Sequence, residues 1–323
     1  ASEQTILYDK LSEPPPPPPT DGLPPEGKEE EMNTEAYNTI HENPFIDPRS
    51  QALSTFSIDV DRAAYANIRR FLNDGQAPPA DAVRIEEMIN YFNYNYPQPT
   101  DQHPFSINTE LAACPWNTQH QLLSIGLQGK TVSNANLPPN NLVFLLDVSG
   151  SMNDANKLPL LKQAFRMLTD GLREQDVVSV VVYAGAAGLV LPPTHGNEKT
   201  KILDALSRLE AGGSTAGGEG IALAYKVAAQ NFMKEGNNRI ILATDGDFNV
   251  GTSSDAEMER LITEKRKSGV YLSCLGFGGG NYKDSKMETL ADKGNGNYAY
   301  IDNENEAKKV LTKEMGGTLL TIA

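Results

Sequence analysis

From Asn141 onward the chain alternates two kinds of hydrophobic pattern. "NLVFLL", "VVSVVVYAG", "RIILAT" and "VYLSCLGFG" are nearly continuous apolar runs, the signature of strands covered on both faces. Between them lie segments of helical period. The clearest is "KLPLLKQAFRMLTDGL", with Leu158, Leu161, Phe165, Leu168 and Leu172 on one face. "TKILDALSRL", "GIALAYKVAAQNFM", "DAEMERLITEKRKSG", "KMETLADKG" and "EAKKVLTKEM" continue the alternation, and "NYAYID" adds a last strand. This order predicts an α/β fold, a doubly wound and mostly parallel sheet flanked by helices. "GLVLPP" follows its neighbour too closely for a crossover and is expected as an antiparallel edge strand.

Upstream the pattern is less regular. Thr55 to Val60 alternates as a short strand would, and Asp61 is placed to cap a helix with Tyr65, Ile68 and Leu72 on one face. "GQAPP" breaks it. A second helix is expected from Asp81, with Ile85, Met88, Ile89 and Phe92 as its apolar stripe. "PFSINTELAAC" and "HQLLSIGLQGK" predict an antiparallel pair of strands joined by "PWNTQ". These elements suggest a smaller α+β domain at 46–135, preceding the α/β domain at 141–315. Residues 1–45 read as a disordered acidic, proline-rich tether, with "PPPPPP" favouring a stiff polyproline segment.

Charge sharpens that division. The net charge is −14, and the first fifty residues supply most of it, with eleven acids against three bases. No basic stripe is present, so nucleic acid is not an expected partner. No apolar run approaches the ~20 residues of a membrane span. Cys114 and Cys274 lie in no metal-ligand spacing and read as two inert thiols, with one disulfide between them as the alternative.

Three turns at the predicted carboxyl rim of the sheet carry candidate chemistry, at the place where such sheets bind ligands. The first is Asp147-x-Ser149-x-Ser151, directly after "NLVFLL". The second is "GGSTAGGEG", with Thr215 just before a helix. The third is "LATDGDFN", with Asp245 after "RIILAT". Three hydroxyls and two carboxylates are hard oxygen donors. They suit Mg²⁺ or Mn²⁺, and suit Ca²⁺ less well. A shell dominated by neutral hydroxyls leaves the ion most of its charge and a position for a carboxylate from another molecule. Glu219 and Asp247 read as rim charges.

In order and placement these five residues resemble the metal-ion-dependent adhesion site of von Willebrand factor type A (VWA) domains, a likeness that extends over 141–315. The resemblance implies that Asp147, Ser149, Ser151, Thr215 and Asp245 take the family's five ligand roles, and that the module binds a protein ligand through an Asp or Glu carboxylate. "NPFIDPRSQALSTFSIDVDRAAYANIRRFL", "PPADAVRIEEMINYF" and "ACPWN" are similar to the companion domain of a bacterial envelope family, often lipid-anchored. That likeness implies an extracytoplasmic place, with an anchor upstream of the tether although no lipidated cysteine is present. It also implies truncation of a further region after 316–323.

An enzyme is the competing class, as Mg²⁺-dependent phosphoryl transfer or hydrolysis through Asp147. Against it, Ser149 stands where a second acid would serve as acid/base, and no lysine lies in the three loops to neutralise a phosphate. "DVSGSM" is not a GxSxG elbow, and "GFGGGNYKDS" lacks the GK[ST] of a P-loop.

Overall fold

The computed structural model describes residues 34–55, 58, 60–131, 137–213, 217–246 and 255–314. Six strands form the central sheet: β3 (Asn140–Asp147), β4 (Val177–Tyr183), β5 (Ala187–His195), β6 (Asn237–Thr244), β7 (Val270–Phe277) and β8 (Tyr298–Ile301), in the order β5-β4-β3-β6-β7-β8. All neighbours are parallel except β5, which pairs antiparallel with β4 at one edge. The mostly parallel, helix-flanked α/β fold expected from the sequence is thus present, including its antiparallel edge.

The alternation of side chains along each strand builds two cores. Leu142, Phe144 and Leu146 of β3 face the helix α3 (Leu158–Asp170), where Phe144 and Phe165 meet edge to face at 4.5 Å between centroids. Val143 and Leu145 face the opposite way, onto Ile221 and Ala224 of α5 (Gly217–Gln230). The predicted stripe of α3 is the buried one: Leu158, Leu161, Phe165 and Leu168 are all covered. The helices α4 (Lys199–Ser207), α6 (Asp255–Lys265), α7 (Asp284–Lys293) and α8 (Glu304–Lys308) complete the layers.

From β3 the chain winds outward through β4 to β5. It then returns to the far side of β3 and winds through β6 and β7 to β8. The order therefore reverses between β3 and β6, and the turns after these two strands flank one crevice.

The upstream region differs in part from its expected form. The expected antiparallel hairpin is present, pairing β1 (Phe105–Ala113) with β2 (Gln121–Gly129), and the helices are α1 (Ala63–Asn73) and α2 (Ile85–Asn90), the latter preceded by a 3₁₀ turn at Ala80–Ala82 where the second helix is expected to begin. At 55, 58 and 60, the described positions of the expected strand, there is no strand. Ile85, Ile89 and Phe92 are all more than half exposed, whereas Glu87 and Arg84 are buried. Leu72 is exposed too, and α1 buries Ala64, Ile68 and Phe71 instead.

The reason lies in what the helices dock on. Ala63 and Ala66 join the core on the α5 side of the sheet, so α1 packs against the β8 end of the main sheet and not round a core of its own. These contacts place α1 and α2 in one compact unit with the sheet, Thr34–Ala323. Asp61 is not the side-chain cap expected for α1. Its Oδ1 accepts the backbone N–H of Tyr298 at 3.0 Å, satisfying a donor on the edge strand β8. Guanidinium–carboxylate pairs do the rest. Arg69 is held by Asp302 and Glu306, Arg70 by Glu35, and Arg84 by Glu87 and Asp284. Cys114 and Cys274 are both buried free thiols, and burial pushes the Cys274 thiol well up.

Candidate metal centre

β3 is buried along its whole length and delivers Asp147 at its carboxyl end with no solvent exposure. Both carboxylate oxygens are held. Oδ1 accepts the backbone N–H of Ser149 at 2.9 Å, which closes the turn after the strand. Oδ2 accepts Thr244 Oγ1 at 2.6 Å and the Tyr183 hydroxyl at 3.2 Å, one from each neighbouring strand. Burial pushes the Asp147 carboxyl above the usual carboxylate range. The donors on Ser149 and Thr244 pull it back, and the charge of nearby Asp245 raises it further.

Beyond Asp147, a short 3₁₀ turn, Gly150–Asn153, turns two serines toward each other, with Ser149 Oγ and Ser151 Oγ 3.1 Å apart. Gly150 N donates to Gly213 O at 3.1 Å and Gly212 N to Val148 O at 2.8 Å, so the glycine loop is tied to the DxSxS turn. Thr215, which that loop carries, lies outside the described residues, as does Asp247. Glu219 is exposed on the first turn of α5.

Asp245 follows β6 and is fully buried. Thr244 bridges the two strand ends, since its hydroxyl donates to Asp147 and accepts the N–H of Gly246 at 3.2 Å. Asp245 Oδ2 accepts Lys157 Nζ and Asn281 Nδ2, each at 3.1 Å, and Lys157 also reaches Asn281 Oδ1 at 3.1 Å. The three loops hold no lysine, yet one reaches this rim. Lys157 comes from outside the three loops, from the N-cap of α3, and is only 5% exposed. Its stem crosses Gly278, where a Cβ would overlap it, and Gly278 has φ +78.

Lys157, Tyr183, Thr244 and Asn281 are the residues of this corner that the sequence reading missed. One signal was available for Lys157: a cation at a helix N-terminus opposes the helix dipole and needs a compensating anion. Nothing local marks the other three.

The donor set passes a simple fit test for a small hard cation. Octahedral oxygens at about 2.1 Å from Mg²⁺ lie about 3.0 Å from their neighbours, and the two serine hydroxyls stand at nearly that spacing. Two buried carboxylates beside them, with one lysine, leave negative charge for a cation to offset. Asp147 and Asp245 would act on it from behind the hydroxyls, and Ser149 and Ser151 would face it.

A six-stranded, mostly parallel sheet with reversed winding about β3 and helices on both faces defines a VWA-type fold. The family model described as von Willebrand factor type A domain matches residues 141–313, and a second, described as von Willebrand factor, matches 31–124. The chain belongs to the von Willebrand factor type A domain family. It is 46% identical over 297 residues to YfbK of Escherichia coli, covering 90% of this chain and 52% of YfbK. It is 31% identical over 190 residues to sll0103 of Synechocystis, covering 59% of this chain and 44% of that one. The chain thus spans about half the length of the curated relatives it matches. A von Willebrand factor type A structure from Catenulispora acidiphila aligns with a TM-score of 0.49 at 21% identity, over 70% of this chain and 52% of that one.

Proposed function

We propose that this chain is a divalent-metal-dependent protein-binding module, and that Asp147, Ser149, Ser151, Thr215 and Asp245 hold Mg²⁺ or Mn²⁺ at its rim. The observation that carries the reading is the pair of serine hydroxyls 3.1 Å apart, at the point where the strand order reverses, backed by two buried carboxylates. An ion bound there supplies an electrophilic centre for an incoming Asp or Glu carboxylate. The chain's own part is to present neutral oxygens to the ion and to keep both acids occupied by internal donors.

The same geometry counts against aspartyl-phosphate chemistry. Asp147 has no solvent exposure, and both its oxygens already accept hydrogen bonds, so neither is presented for attack on a phosphate. We therefore read the module as non-enzymatic. Its place is proposed as the extracytoplasmic side of a bacterial envelope, on the resemblance of its upstream region. Among the described residues no helix is long and apolar enough to cross a membrane.

The test is capture of envelope proteins on immobilised protein in millimolar Mg²⁺, with elution by chelator. A bound protein that is released by chelator, and lost with both Ser151→Ala and Thr215→Ala, is the expected result. Capture indifferent to chelator and to both substitutions would overturn the reading.

A further inference from the structure

We infer that Lys157 is a built-in counter-cation of the metal rim, one that weakens the grip on the divalent ion and so keeps that ion electrophilic toward an outside carboxylate. The inference rests on the metal-binding reading above and deepens it.

Three observations point to a dedicated role. Lys157 is buried, although the ammonium of a lysine at a helix N-cap is normally free to reach water. It meets Asp245 at 3.1 Å, and Asn281 spans both partners, donating to the same Oδ2 and accepting from Nζ. Its path requires a residue without a side chain at Gly278, in a left-handed conformation that favours glycine. A merely structural pair could be built on the surface without these constraints.

The electrostatic consequence has a definite sign. A fixed positive charge beside a cation site raises the free energy of the bound ion, and it neutralises one of the two carboxylates the ion would otherwise see. Removing that charge should tighten metal binding by at least roughly sevenfold, the figure for a unit charge about 7 Å from a divalent ion in a water-like dielectric. A lysine that only positions Asp245 gives the opposite sign, because its loss would loosen the ligand and weaken binding.

The experiment compares Mn²⁺ and Mg²⁺ dissociation constants for wild type, Lys157→Met, Lys157→Gln and Lys157→Arg, by calorimetry and by the Mn²⁺ spin-resonance signal. Gln keeps a donor to Asp245 without the charge, so it remains informative if Met fails to fold. The expected result is tighter binding in Met and Gln, a near-wild-type constant in Arg, and a larger metal-induced rise in melting temperature in the neutral variants. Unchanged or weaker binding in both neutral variants, with wild type still binding, overturns this inference alone. No binding in any of the four proteins overturns the metal reading as well. Binding that appears only in the neutral variants supports the inference.

Discussion

Replacing Arg84 by methionine removes the guanidinium that pins α2 to α7. Arg84 pairs with Glu87 on its own helix and with Asp284 two hundred residues away. Burial alone would disfavour its charge, but Asp284 and Glu87 more than offset that and hold its pKa well up. Both acids are shut off from solvent, Glu87 at 1% exposure and Asp284 at 0%. Breaking a buried pair by deleting one partner typically costs 3–5 kcal/mol, because a charge is left uncompensated.

Here each acid retains one donor. Ala64 N reaches Glu87 at 2.7 Å, and the Tyr298 hydroxyl reaches Asp284 at 2.6 Å. That argues for the lower end of the range, about 3 kcal/mol. Urea denaturation followed by circular dichroism at pH 8 measures it. The double variant Arg84→Met/Glu87→Gln should recover about 1–2 kcal/mol of the loss, since it removes one of the stranded charges. A loss under about 1 kcal/mol in the single variant, or no recovery in the double, would refute the view that these pairs fasten the upstream helices to the sheet.

Glu288 sits at the edge of the same network. Burial first, and then the neighbouring acids Asp284, Glu87 and Asp292, push its pKa from 4.5 to about 7, with Arg84 pulling the other way. The folded state therefore favours the protonated form: its contribution is full below about pH 4.5 and is lost as pH rises toward 7. With a quarter of the side chain in solvent, at 26% exposure, Glu288→Gln should gain about 1–2 kcal/mol over wild type at pH 8 and little at pH 4. Equal differences at both pH values would contradict it. Thr244→Val keeps the shape but strips Asp147 of its closest donor and Gly246 N of its acceptor, so a loss of about 1–3 kcal/mol is expected in thermal unfolding. A variant as stable as wild type would show that the two strand ends are not bridged through this hydroxyl.

How far the sequence reaches depends on the range of the interaction. β3, β4, β6 and β7 were legible because a strand covered on both faces must be apolar throughout, and "NLVFLL" states that locally. The α3 stripe was legible for the same reason. Asp147, Ser149 and Ser151 were legible because one turn holds all three. Upstream, periodicity recognised Ile85, Ile89 and Phe92 as a stripe but could not say which face would be buried. That was decided at α2 by the ion pair of Arg84 with Asp284, and at α1 by those of Arg69 with Asp302 and Glu306, partners far along the chain. Asp61 was misplaced likewise, because its acceptor role lies at Tyr298. Lys157 was hidden because its meaning depends on Asp245 and Gly278, which only the fold brings to it.

The metal claim at the centre of this account is tested most directly by calorimetric titration of Mg²⁺ and Mn²⁺ into wild type and into Ser149→Ala/Ser151→Ala. The two serines face the proposed ion without carrying the fold, so the variant should remain folded and lose the binding heat. Equal binding in the two proteins would contradict the account, and so would wild type showing no saturable binding by either ion while the neutral Lys157 variants also show none.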